Sequence, residues 1–243
     1  PDGGGYAIMA GVEQLVDYLK NLSFDDEDIE YLRSKNCFCE EFLEYIRNFE
    51  FKCDVWAVPE GSPIFPGEPI VTVRGPVMQA QFVETMVLLT INHQCLIATK
   101  ANRMVRAANG RAVMEFGSRR AQGADGAVLG ARAAFIGGAV GTACVLSDQL
   151  FETPALGTMA HSWVQMFPDE FTAFKAYADA YPDNCTLLID TYNVLKSGLP
   201  NAIRTAKEVL EPKGYRLKGV RIDSGDIAYL SKRIRETLDN QGM

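Results

Sequence analysis

The stretch ALGTMAHS, residues 155–162, decides how this chain is read. Ala155 and Leu156 form an apolar lead-in that reads as a short buried strand, and small residues then run on to Thr158, His161 and Ser162. An imidazole and two hydroxyls are thereby set where a strand stops and a loop begins. In barrels and open sheets of parallel strands, ligands bind at that end.

Working outward, the same rhythm recurs. Strand-like runs at 112–116, 134–138, 155–160, 186–190 and 217–223 alternate with helical runs at 122–132, 142–151, 169–181, 201–210 and 227–238. Five β-then-α units in succession predict parallel strands joined by right-handed crossovers. Gly117, Ser118, Arg119 and Arg120 follow the first strand; Gly137 and Gly138 end the second; His161 and Ser162 follow the third. Asp190 ends the fourth, and Arg221, Asp223 and Ser224 end the fifth. Parallel strands gather these tips on one face, the expected active-site face. A closed (β/α)8 barrel takes about 250 residues, so residues 111–243 amount to about half of one. Either the sheet is open or the barrel is incomplete.

Residues 1–110 read differently. Apolar residues at helical spacing from Ile8 to Leu19, a cap-rich segment at 23–28 and a further helix at 40–48 precede a Pro/Gly-punctuated stretch, 51–76, with two or three antiparallel strands. A long helix over 77–108 leads out of this small α+β unit and stops at Asn109-Gly110. The expectation is an α/β protein: an N-terminal α+β domain, 1–110, followed by part of an irregular (β/α) TIM-like barrel, 111–243.

Composition narrows the function. At 243 residues, 47% apolar and 23% charged, the chain can bury a sizeable core as one large domain or two small ones. No run approaches the roughly 18 uninterrupted apolar residues of a membrane span, and the opening PDGGG lacks a secretory start. A net charge of −7 argues against a general nucleic-acid binder. Lys100, Arg103, Arg106, Arg111, Arg119, Arg120 and Arg132 nonetheless fall in one region, as a local anion site or a solvated face. Six cysteines at irregular spacing, with no CxxC pair, read as reduced, mostly buried thiols of a cytosolic protein.

His161 is either a hydrogen-bonded structural residue or a nucleophile or base oriented by Asp190, which would hold one ring nitrogen and leave the other open. Asp223 and Asp226 are either helix caps or, for Asp223, a carboxylate for sugar hydroxyls or Mg²⁺. Arg119, Arg120 and Arg221 are surface residues or forked grips for carboxylate or phosphate. Phe116 is core or a flat surface for a ring. The glycines of QGADGAVLG and IGGAVGT fit close packing and backbone contact with an anion.

Taken together, EFGSRRAQGADG (115–126), AFIGGAVGT (134–142), GTMAHSW (157–163), LIDTYN (188–193) and VRIDSGD (220–226) closely resemble the nicotinate phosphoribosyltransferase family. GGGYAIMAGVEQLVDYL and EGSPIFPGEPIVTVRGP look like that family's first domain, so the resemblance spans essentially the whole chain. It implies formation of nicotinate mononucleotide and pyrophosphate from nicotinate and phosphoribosyl pyrophosphate, in NAD salvage. It also implies coupled ATP hydrolysis with Mg²⁺, in a cytoplasmic homodimer. By position, His161 matches the histidine that ATP phosphorylates, Asp190 its carboxylate partner and Asp223 a ribose-side acid. Thr158 and Arg221 match nicotinate contacts, Phe116 the residue stacking on the pyridine ring and Arg119 an anion contact. Gly137, Gly138 and Ser162 join the expected substrate-binding set. The family's N-terminal aromatic segment and later phosphate loop are expected outside residues 1–243, which makes this part of a longer enzyme.

Three other readings fit parts of the sequence. A nicotinamide-using relative places a carboxylate just after the second strand, where this chain has Ala139 beside Val140. A phosphosugar aldolase or isomerase needs a Schiff-base lysine or paired catalytic carboxylates, and the strand ends offer no lysine. A non-catalytic metabolite-binding fragment would keep the pocket without the phosphate chemistry.

Overall fold

The computed structural model describes residues 5–243. The first four residues of PDGGG, on which the secretory reading rests, lie outside them. The fold is α/β, and the chain divides into two compact units, one ending at Leu156 and one running from Gly157 to Met243. The change of rhythm at Gly110 lies inside the first unit, because the helices on either side of it pack together there.

The first unit runs β1 (Ala7–Ile8), α1 (Val12–Asn21), α2 (Asp26–Ser34), α3 (Glu40–Arg47), β2 (Asp54–Ala57), β3 (Pro63–Ile64), β4 (Val71–Arg74), α4 (Val77–Phe82), α5 (Glu84–Ala107), β5 (Met114–Glu115), α6 (Ala124–Ile136), β6 (Gly141–Thr142) and α7 (Val145–Phe151). The first helix starts later than its period predicts. Gly11 takes φ +101°, and a side chain there would press on the Thr90 carbonyl at 2.8 Å, so Ile8 is released into β1. As expected, 51–76 holds an antiparallel pair, β2 on β4, while β3 pairs antiparallel with β1 from outside that stretch. Asp25 and Asp28 form a reciprocal capping box at the start of α2.

Residues 77–107 are long and apolar enough to cross a membrane by length and composition. The helix is nonetheless a core element of this unit. Ile91 and Cys95 pack with Met9 and Leu15, while Ala98 and Ala101 meet Ala133 and Ala134 of α6. Alanine on both sides lets the two backbones approach closely.

That approach corrects one expected strand. Residues 134–136 end α6, and Gly137 and Gly138 form its C-terminal cap, donating to the carbonyls of Ala133 at 3.0 Å and Phe135 at 2.9 Å. A Cβ on Gly137 would collide with the Ala98 carbonyl, and Gly138 takes φ +104°. Both glycines are thus accounted for by helix packing and not by a strand end. Gly137→Ala should cost about 1–3 kcal/mol by overpacking, read as a lower urea midpoint; an unchanged midpoint would mean that α5 and α6 separate freely.

The strand that follows is β6, parallel to β5 with Met114 opposite Gly141 and Glu115 opposite Thr142. A single parallel bridge joins Thr142 to Ala155 and is all that forms of the third expected strand. Its lead-in is not buried, since Ala155 and Leu156 are both exposed. Arg132, assigned to the basic region, is buried. It reaches Glu60 at 2.7 and 3.0 Å and also bonds Glu13.

The second unit runs α8 (His161–Gln165), α9 (Glu170–Ala180), β7 (Thr186–Leu188), α10 (Leu199–Thr205), β8 (Gly219–Arg221) and α11 (Ile227–Asn240). Leu187, Leu188 and Ile189 are sealed against Phe174, Leu199 and Leu210, the pattern of a strand buried on both faces. β7 and β8 pair in parallel, Leu187 opposite Val220. Two π-helical turns, Val194–Gly198 and Ala206–Leu210, flank α10. Asp169 caps α9 and Asp226 caps α11.

The cysteine expectation also needs correcting. All six are free, but only Cys95 and Cys185 are buried, while Cys37 and Cys39 are exposed. Burial pushes the Cys185 thiol up to about 11.

Candidate active site

The parallel pairing of β7 and β8 puts their carboxyl ends side by side. Asp190 lies just past β7 and Asp223 just past β8, and the two segments lock together there. Asp190 Oδ2 accepts the backbone N–H of Asp223 at 2.9 Å and the Ser224 hydroxyl at 2.6 Å. Its side chain is buried, and its other oxygen, Oδ1, makes no hydrogen bond. A buried carboxylate oxygen left open in this way favours a cationic or proton-donating neighbour.

His161 is that neighbour. It opens α8, where the extended segment 157–160 turns into helix at the Ala160 cap. Its Nε2 stands 3.8 Å from Asp190 Oδ1 and 3.7 Å from Asp223 Oδ2, while Nδ1 is 3.2 Å from the Thr191 hydroxyl. The first two separations exceed a hydrogen bond and are charge contacts. Positive charge formed on the ring is therefore stabilised at Nε2 by two carboxylates. Asp190 faces His161 as the sequence predicts, though without the direct hydrogen bond expected of it.

Arg221, on β8, donates to Thr158 Oγ1 at 2.6 Å and pairs with Asp223 Oδ1 at 3.0 Å. Five expected residues, Thr158, His161, Asp190, Arg221 and Asp223, thus meet within one unit despite wide separation in sequence. Ser162 is exposed in the first turn of α8 and enters none of these contacts. Thr191 and Ser224 are participants that the sequence reading left out of the site. Both stand inside quoted motifs, LIDTYN and VRIDSGD, but nothing in their residue type separates a contact from a loop hydroxyl.

Phe116, Arg119, Gly137 and Gly138 belong to the first unit. Phe116 and Arg119 follow β5, Arg119 in a 3-10 turn, Ser118–Arg120, with an exposed side chain. Glu115 organises this strand end. It accepts the Gly117 amide and, at 2.6 Å, the Thr142 hydroxyl, so β5 and β6 are tied at their carboxyl ends. The position weighed against the amide-using relatives also moves. Ala139 is buried against Ala101 and Ala134, and the residue that follows the observed strand β6 is Ala143. Neither carries a carboxylate.

Among the described residues no group of three His, Cys, Asp or Glu side chains could hold a metal ion.

By fold, this is an α/β protein, and its candidate site lies at the carboxyl ends of two parallel strands, where such folds place their ligands. Residues 1–92 match the model of the nicotinate phosphoribosyltransferase N-terminal domain. The Bacillus subtilis nicotinate phosphoribosyltransferase is 46% identical over 100% of this chain and 49% of its own length. The crystal structure of human nicotinic acid phosphoribosyltransferase superposes with a TM-score of 0.89 at 33% identity, over 99% of this chain and 58% of that one. A nicotinate-nucleotide pyrophosphorylase from Pyrococcus furiosus gives 0.76 at 25% identity, over 100% of this chain and 55% of that one. Over its whole length the chain is similar to nicotinate phosphoribosyltransferases, and it spans about half the length of the curated relatives it matches.

Proposed function

We propose that this chain carries the phosphohistidine half of a nicotinate phosphoribosyltransferase. Nicotinate and phosphoribosyl pyrophosphate would give nicotinate mononucleotide and pyrophosphate, coupled to ATP hydrolysis, in NAD salvage in the cytoplasm. The observation that carries this reading is His161 standing between two carboxylates. A neutral ring nitrogen that bonds to the γ-phosphorus of ATP displaces ADP and leaves positive charge on the imidazole. Asp190 and Asp223 lie where that charge develops. Nδ1, which faces Thr191, is the attacking nitrogen in this reading, and the Thr191 hydroxyl must rotate away from it first.

Thr158 and Arg221 fit an anionic ring substituent, the guanidinium supplying forked donors and the hydroxyl fixing its orientation. Phe116 and Arg119 are proposed for ring stacking and anion contact, and Asp223 for the ribose side. Gly137, Gly138 and Ser162 complete the proposed substrate-binding set. Mg²⁺ is proposed as the ion carried on the substrate phosphates. Assembly as a homodimer is part of the proposal.

The amide-using alternative is tested by competition. Offered nicotinate and nicotinamide at equal concentration with phosphoribosyl pyrophosphate and ATP, protein carrying this sequence should convert the acid. Uncharged Ala143 after β6 offers no acceptor for an amide NH₂. Preferential formation of the amide mononucleotide would reverse the assignment.

A further inference from the structure

Glu170 is 2% exposed, one of the few buried charged residues among those described. It opens α9, directly after the Asp169 cap, on the segment that leads away from the His161 helix. Its Oε2 accepts the hydroxyl of Ser197, and Ser197 lies in the π-helical turn Val194–Gly198. Oε1 makes no hydrogen bond of normal geometry. A buried carboxylate that serves only helix α9 gains nothing from this position, since Asp169 already caps the helix.

The turn it grips bears on the site. Asn193 starts the turn, accepting from Lys196 N through its side chain at 2.8 Å and from Gly198 N through its carbonyl at 2.9 Å. At Gly198 a Cβ would overlap the Ile189 carbonyl, so the turn is seated on the residue just before Asp190. From the other side, Ile189 N bonds the Arg221 carbonyl at 3.1 Å. The segment 189–191 is therefore held between β8 and the π-turn, and π-turns of this kind mark functional sites because they re-aim the adjoining chain.

We infer that Glu170 is a positioning residue: through Ser197 it pins the π-turn that sets where Asp190 and Thr191 stand relative to His161. Its meaning for catalysis rests on the reading of His161 and Asp190 as reacting partners, but the geometry is testable without substrate. Burial pushes the Glu170 carboxyl up, partly offset by Ser197 and Asn201, and the glutamine amide matches its shape. Glutamine retains an oxygen for the Ser197 hydroxyl and alanine does not.

The test is amide hydrogen exchange on the folded chain, reading the Asp223 N–H that Asp190 holds. Glu170→Ala and Ser197→Ala should speed its exchange by about tenfold or more, and Glu170→Gln by less than about threefold, with the Ile234 amide of α11 unchanged as reference. Equal acceleration at Asp223 and Ile234, or none at Asp223, or glutamine behaving as alanine, would overturn the inference. Should Glu170→Ala not fold, Ser197→Ala decides alone. A protein that takes no phosphate from ATP would sink the proposed function and leave this result standing.

Discussion

Replacing His161 by alanine is expected to abolish transfer of acid-labile, base-stable phosphate from labelled ATP to the protein. His93→Gln, the change at the only other histidine, should leave that label in place. An imidazole placed 3.7–3.8 Å from two carboxylates can carry charge when it forms a bond to phosphorus, and those carboxylates are themselves fixed. Asp190 is held by two donors, and Asp223 is paired with Arg221. Asp190→Asn keeps an oxygen for Ser224 and the Asp223 amide but removes the charge. It should slow labelling by about 10²-fold, the scale of a lost electrostatic partner, at nearly unchanged stability. Label persisting in His161→Ala, or full-rate labelling in Asp190→Asn, would remove the proposed role.

The largest stability effect is expected at Glu60→Gln. Glu60 joins three parts of the first unit. It takes two hydrogen bonds from buried Arg132 on α6, and its Oε1 also accepts the amides of Gly11 and Val12 at the start of α1. Removing its charge leaves a guanidinium whose side chain is only 10% exposed without its principal counterion. Breaking one side of such a pair typically costs about 3–5 kcal/mol. Glu13 compensates little, because it is largely exposed.

The acid dependence follows from the same contacts. Burial pushes the Glu60 carboxyl up, but the Arg132 guanidinium and the two amides outweigh it and hold it below its ordinary value of 4.5. The unfolded chain then binds the proton more readily. The stabilisation is full above the ordinary value and is lost as pH falls through the lower, folded one. Urea midpoints measured from neutral pH downward should show this loss in the parent and a shallower slope in Glu60→Gln. Parallel curves would show that the pair contributes nothing.

Much of this molecule was legible before any coordinates. Two helices announced by aspartate-rich caps began where the caps stand: Asp25 and Asp226 each hold a backbone N–H three residues on. The apolar run Thr186–Leu188 became a buried parallel strand, as its β-branched and leucine content suggests. Residues 134–138 went the other way, because a short run of Ala, Phe, Ile and Gly fits a strand or a buried helix equally. The choice there was made by Ala98 and Ala101, more than thirty residues earlier, whose small side chains admit α6 against α5.

Local sequence alone therefore determined the helix starts at Asp25 and Asp226, the antiparallel pairing within 51–76 and the residue types able to perform the chemistry. Caps, turns and periodicity act over a few neighbours, and their physics is complete within a short window. Tertiary structure alone decided which nitrogen of His161 faces the carboxylates, that Thr191 and Ser224 take part, and that Arg132 is a buried counterion. Those outcomes depend on the register of β7 against β8 and on the close approach of α5 and α6. They are distances between segments far apart in the chain, and no short window of sequence contains them.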